Sequence, residues 1–154
     1  CSSDLRLNSF CYDRDLSDRR DWIHGDLHFA NMFYDLHRRE LKLIDPRGEL
    51  CGDLFYDLAK LNHSVNGNYD CIDNQLYYFD QNGDAKFFMT ERRGIVSAFE
   101  QMLFDIGVVG QERRDLDLVT ASLFLSMIPL HYHNPVNQRL FYAEFQRFFS
   151  LYTS

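Results

Sequence analysis

The stretch His24-Gly25-Asp26-Leu27-His28-Phe29-Ala30-Asn31, followed by Leu41-Lys42-Leu43-Ile44-Asp45, decides how the rest of this chain is read. It sets a carboxylate at Asp26, an amide at Asn31 and a second carboxylate, Asp45, at the end of an apolar run. Met32-Phe33-Tyr34 has strand character, Leu36 to Glu40 is a charged turn, and Leu41 to Asp45 is a second strand. Together they predict a hairpin carrying Asn31 on one side and Asp45 on the other.

Outward from the hairpin, Pro46-Arg47-Gly48 stops the second strand. Gly52-Asp53 then opens a helix, with Asp53 as N-cap, Leu54, Leu58 and Leu61 along one face, and Asn66-Gly67 closing it. Gln75 to Phe79 and Ala85 to Met89 predict a second small hairpin around Asn82-Gly83. From Thr90 the period becomes helical. Ile95, Phe99, Met102 and Ile106 form one stripe, and Leu116, Val119, Leu123, Met127 and Leu130 a second, which Pro129 should kink or end. Asn134-Pro135 caps a last helix with Phe141, Phe145, Phe148 and Tyr152 on its buried face. Residues 1–21 are polar and charge-mixed and read as a linker or the end of a preceding element. Residues 22–154 read as one α+β body, mainly helical, with the catalytic-type loop, hairpin and helix in 22–67 and a hairpin plus helices in 68–154.

The totals agree with one folded domain. Of 154 residues, 45% are hydrophobic and 16% aromatic, too many for a disordered chain. The net charge of −7 and the presence of only three lysines argue against a nucleic-acid partner, which would want a basic stripe. No apolar run approaches the roughly 20 residues of a membrane span and no leader-like segment opens the chain, so a cytoplasmic protein is expected. Cys1, Cys11, Cys51 and Cys71 form no Cys-x-x-Cys pair, and reduced thiols are the expectation.

The loop and strand resemble the aminoglycoside phosphotransferase and choline kinase family, small-molecule kinases with a protein-kinase-like fold. The matching motifs are His24 to Asn31, then Ile44-Asp45, then Gly52-Asp53-Leu54-Phe55-Tyr56-Asp57-Leu58-Ala59. The resemblance implies the C-terminal lobe of such a fold, phosphorylating a hydroxyl of a small molecule, a sugar or an amino alcohol, with ATP and Mg²⁺. Phosphoryl transfer depends on positioning and on charge neutralisation at the phosphates, so a few oxygen-bearing side chains can carry much of it. By that resemblance Asp26 is the catalytic base that orients the acceptor hydroxyl, and Asn31 and Asp45 are Mg²⁺ ligands. His24 shapes the loop, Asp57 anchors it from the helix, and His28 and Arg47 are candidates for ligand contact. Glu100, Asp105, Asp115 and Asp117 are candidates to meet a cationic acceptor.

Two departures matter. Asp45 is followed by Pro46-Arg47-Gly48 where the family often has Phe, Trp or Glu, and the glycine-rich loop and lysine of the family's N-terminal lobe are not found in the sequence. No Gly-x-Gly occurs, and Lys42, Lys60 and Lys86 all lie downstream of the loop. A nucleotide-binding N-terminal lobe is therefore expected elsewhere in the full chain, and this segment alone is expected to bind nucleotide weakly and turn over slowly or not at all. Two rival readings are a non-catalytic kinase-like interaction module and, from Gly25-Asp26-Leu27-His28, a metallophosphoesterase. Phe29 stands where the second motif wants Gly, and its partner motifs are missing. His131 and His133 read as surface or packed histidines in preference to metal ligands, and Asp80-Gln81-Asn82-Gly83-Asp84 as a hairpin turn in preference to a calcium loop, since its Gly falls too early.

Overall fold

The hairpin around Asn31 and Asp45 forms, in a computed structural model that describes residues 20–47, 51–88 and 92–154. The strands are β1 (Arg20–Trp22), β2 (Met32–Asp35), β3 (Glu40–Leu43), β4 (Cys51–Asp53), β5 (Tyr77–Phe79) and β6 (Ala85–Phe87). The helices are α1 (Leu54–Val65), α2 (Tyr69–Asp73), α3 (Arg92–Asp105), α4 (Gln111–Leu130) and α5 (Pro135–Thr153). The chain is α+β and mainly helical, with three two-stranded antiparallel ribbons, β1–β4, β2–β3 and β5–β6, on a helical body.

The β1–β4 ribbon corrects the linker boundary: residues 20 and 21 pair with Asp53 and Gly52, so the strand that leads into the loop starts before Trp22. Residues 1–19, the rest of the expected linker, lie outside the described residues, as do Cys1 and Cys11. Cys51 is exposed and Cys71 buried.

Local chemistry sets the helix ends. The Asp53 carboxylate accepts from Phe55 N at 2.9 Å, and the Asn134 side chain accepts from Val136 and Asn137 N ahead of Pro135. Pro129 lies inside α4, which ends one residue later at Leu130. α2 was not anticipated; five residues are too few to show a period.

Two clusters make the core. Phe55, Leu58, Ala59, Val65, Phe99, Leu103, Val108, Leu116 and Leu123 join α1, α3 and α4. Ile72, Ala121, Phe124, Met127, Leu140, Phe141 and Phe148 join α2, α4 and α5, with the Phe124 and Phe148 rings stacked at 5.7 Å. Burying each such phenylalanine contributes about 1.5–3 kcal/mol. The phases of some stripes differ from expectation. Leu54 is exposed because the buried face of α1 runs through 55, 58, 59, 62 and 65. Ile95, Ile106 and Leu130 are exposed as well, near or past the ends of their helices, where no neighbour covers them.

Among the described residues no helix is long and apolar enough to cross a membrane. The β2–β3 ribbon is unusual in leaving apolar side chains in solvent on both faces: Phe33, Tyr34, Leu41 and Leu43, with Ile44 just beyond.

Candidate functional site

One face of α1 holds the loop. Asp57, Lys60 and Ser64 recur at spacings of three and four, so they lie along one side of the helix. The Asp57 carboxylate accepts from His24 N at 2.6 Å and Gly25 N at 2.8 Å. Lys60 Nζ lies 2.8 Å from Asp26 Oδ1, and Ser64 Oγ accepts from Phe29 N at 3.4 Å. The loop thus runs beside the helix, gripped in order at residues 24–26 and 29. Gly25 has φ +76°, and a Cβ there would stand 3.0 Å from Arg47 Cβ, which accounts for the missing side chain at this position.

Asp26, His28, Asn31 and Asp70 meet at the far side of the loop. Asn31 is buried, and its amide donates to the Asp26 carbonyl oxygen at 3.0 Å, with Asp26 Oδ2 at 3.5 Å. His28 lies between two carboxylates, Nδ1 at 3.3 Å from Asp70 Oδ1 and Nε2 at 3.7 Å from Asp26 Oδ2. The bonds to Asp26 and then Asp70 raise His28 to about 9, against the opposing effect of its burial, so it is an imidazolium at neutral pH. The His28 bond, followed by the bond and charge of Lys60, holds the Asp26 carboxyl well below the usual carboxylate range, although burial pushes the other way. Burial is the largest single influence on Asp70 and pushes it up, but the bonds to His28 and Ser64 and the charges of His28 and His63 together outweigh it, and the net shift is downward. Behind them His63 is fully buried, stacked on Tyr69 at 4.1 Å, and pushed down to about 3, first by burial and then by the Lys60 charge.

Asp45 approaches from the hairpin. Ile44 N donates to Asn31 O at 3.0 Å, extending the β2–β3 ladder by one rung, and His24 Nε2 donates to Ile44 O at 2.9 Å. Asp45 follows in a left-handed turn with φ +56°, exposed, and no described residue bonds its carboxylate. Arg47 N then donates to His24 O at 2.9 Å, and its guanidinium reaches the Tyr56 hydroxyl at 3.5 Å. Asn31 uses its amide NH₂ within the loop, which leaves its carbonyl oxygen without a partner among the described residues. That oxygen and the Asp45 carboxylate are hard donors of the kind Mg²⁺ takes, and Mg²⁺ characteristically uses one or two carboxylates plus waters and phosphates in place of an all-protein cage. The donor set therefore fits Mg²⁺. Among the described residues no three His, Cys, Asp or Glu side chains gather as a metal group.

The structure brings His24, Asp26, His28, Asn31 and Asp57 into one hydrogen-bonded unit and sets Asp45 and Arg47 at its edge. Lys60, Ser64 and Asp70 were missed by sequence reasoning. For Lys60 and Ser64 a signal existed, namely their helical spacing from Asp57; for Asp70, far along the chain, none did. The four acids considered for a cationic acceptor are partnered internally. Arg113 pairs with Asp117 and, at 3.3 Å, with Glu100. Asp105 accepts from Gln101 and Asp115 from Gln111. His131 packs on Phe141 and faces Asp73, and the Asp80 carboxylate caps its own turn by accepting from Asn82 N and Asp84 N.

No family model, no curated protein and no solved structure matches this chain.

Proposed function

We propose that this chain is the catalytic lobe of a protein-kinase-like phosphotransferase that uses ATP and Mg²⁺ to phosphorylate a hydroxyl of a small molecule. The observation that carries the reading is the Asp26–Asn31 pair held on the Asp57 face of α1, with Asp45 one residue beyond the rung that ties Ile44 to Asn31. Asn31 and Asp45 would hold the cation, which when bound neutralises charge on the phosphates. Asp26 stays ionised and orients the acceptor hydroxyl, and its depressed pKa suits a loose transition state in which positioning counts for more than basicity. His28 keeps a positive charge beside it. A sugar-like acceptor is favoured over an amino alcohol, because the acids that would greet an ammonium group are bonded to Arg113, Gln101 and Gln111.

The exposed apolar ribbon beside the site and the absence of a glycine-rich loop in the sequence support a nucleotide-binding lobe contributed by other residues of the full chain. The same ribbon is what favours the second reading, a non-catalytic module that docks through it. ADP release from Mg·ATP by the full natural chain, screened over sugars, polyols and amino alcohols, separates them. The enzyme reading expects turnover with one acceptor class, and weak ATP binding by residues 1–154 alone in calorimetry. An inert full chain that binds no ATP would leave only the docking module.

A further inference from the structure

We propose that Lys60 is the positioning residue of Asp26: by holding Oδ1 it leaves Oδ2, on the side of Asn31 and His28, as the one carboxylate oxygen free to meet a ligand. The inference rests on the reading of Asp26 as the acceptor-facing carboxylate and adds to it a direction of approach.

The two oxygens are held unequally. Oδ1 is 2.8 Å from the Lys60 ammonium. Around Oδ2 the nearest donors are Asn31 Nδ2 at 3.5 Å and His28 Nε2 at 3.7 Å, the latter an ion-pair contact, and neither is as short as the Lys60 contact to Oδ1. One oxygen is committed and the other has capacity left.

Lys60 itself is 4% exposed, and among the described residues Asp26 is its one ion-pair partner. Lysine is almost never buried so deeply unless paired, and an apolar residue of similar volume would fill the same space without the desolvation penalty. Stability is therefore a poor account of the charge. Direction is a better one. Asp57 and Ser64, on the same face of α1, fix the loop backbone on either side of Asp26, while Lys60 fixes the side chain between them. Lys60 touches Asp26 and acts on a ligand through it.

The test uses Lys60→Met in the full chain, with two readouts. The first is the Asp26 rotamer, from NMR couplings about its Cα–Cβ bond: one rotamer is expected in the wild type and averaging in the variant. The second is ADP release from Mg·ATP with water as acceptor. Here kcat is expected to fall by about a hundredfold, the usual consequence of a misplaced reacting group. The KM for ATP should stay within about twofold, because ground-state binding is untouched. Lys60→Arg, which keeps a donor for Oδ1, should restore the single rotamer and most of the rate. A purely structural lysine would lower stability without averaging the rotamer. A single Asp26 rotamer retained in Lys60→Met, or an unchanged kcat, would overturn the proposal. If Lys60→Met does not fold, Lys60→Leu, which also lacks a donor for Oδ1, carries the same two outcomes. A wild type that releases no ADP with any acceptor defeats the phosphotransferase reading, while the rotamer measurement still decides the role of Lys60.

Discussion

α1 carries a polar cluster on each of two faces, and the two end differently. On one, Asn62 donates to Thr120 at 2.9 Å, Asn66 donates to Asn62 and to Glu100, and Arg113 pairs with Glu100 and Asp117. Burial pushes Asp117 up and the Arg113 charge pulls it back. That cluster closes on itself and ties α1 to α3 and α4. On the other face Asp57, Lys60 and Ser64 grip the loop, yet Asp26 Oδ2 has only distant donors, Asp45 is open to solvent, and His63 Nε2 and Asp70 Oδ2 are buried without a hydrogen-bond partner among the described residues. Polar groups that serve the architecture saturate one another; a cluster with bonding capacity left over is where a ligand belongs.

The contrast can be broken most sharply at Asp26. Asp26→Asn in the full chain is expected to lower turnover by about a thousandfold, within the range for loss of a positioned acid–base group. Its folding should be kept, since the amide oxygen can still accept from Lys60. Asp26→Ala is the less clean probe, because it would strand a buried ammonium. Normal turnover in Asp26→Asn would erase the distinction between the two faces.

Arg113→Met tests the closed face. It leaves the buried Asp117 carboxylate without its cation, Glu100 being partly exposed, and should destabilise the fold by about 3 kcal/mol, the upper end for a buried polar group left unsatisfied. Urea unfolding measures this, and divalent-cation affinity should not change. Asp57→Ala is smaller: it leaves the His24 and Gly25 amides unpaired, at about 1–3 kcal/mol. Hydrogen exchange of those two amides should accelerate ahead of the core; equal protection would mean that Asp57 does not anchor the loop.

The histidines give the finest probe, because they titrate in opposite senses. His28 is raised to about 9, so its contribution is complete below the unfolded value of 6.5 and is lost as pH rises through 9. His63 is lowered to about 3, so the unfolded chain takes up a proton first and stability falls as pH drops from 6.5 toward 3. Urea midpoints across pH 4 to 9 should decline on both sides, and His63→Phe should flatten the acid limb alone.

Much of this was legible in the chain, for identifiable reasons. The loop, hairpin and capped helix are local, and Asp53, Asn82-Gly83, Pro129 and Asn134-Pro135 act over a few residues. Along α1 the expected apolar face holds at Leu58 and Leu61, which pack in the first cluster, and fails at Leu54; the buried surface also takes in Asn62 and His63, polar residues that carry no apolar mark. The place of Lys60 after the loop excludes it from the phosphate-pairing role, and only its three-residue spacing from Asp57 points to the loop. The pairing of Arg113 with Glu100 and Asp117, and of His28 with Asp70, depends on how separate helices dock. No local pattern encodes that.

The claim that the open face of α1 is a cation-binding site is tested most directly by adding Mn²⁺ to the labelled full chain and following paramagnetic broadening. The Asn31 side-chain amide and the Asp45 signals should broaden together at the same Mn²⁺ concentration, and Asp45→Asn should abolish the effect at Asn31. Broadening at one of the two without the other, or at neither, would contradict the account.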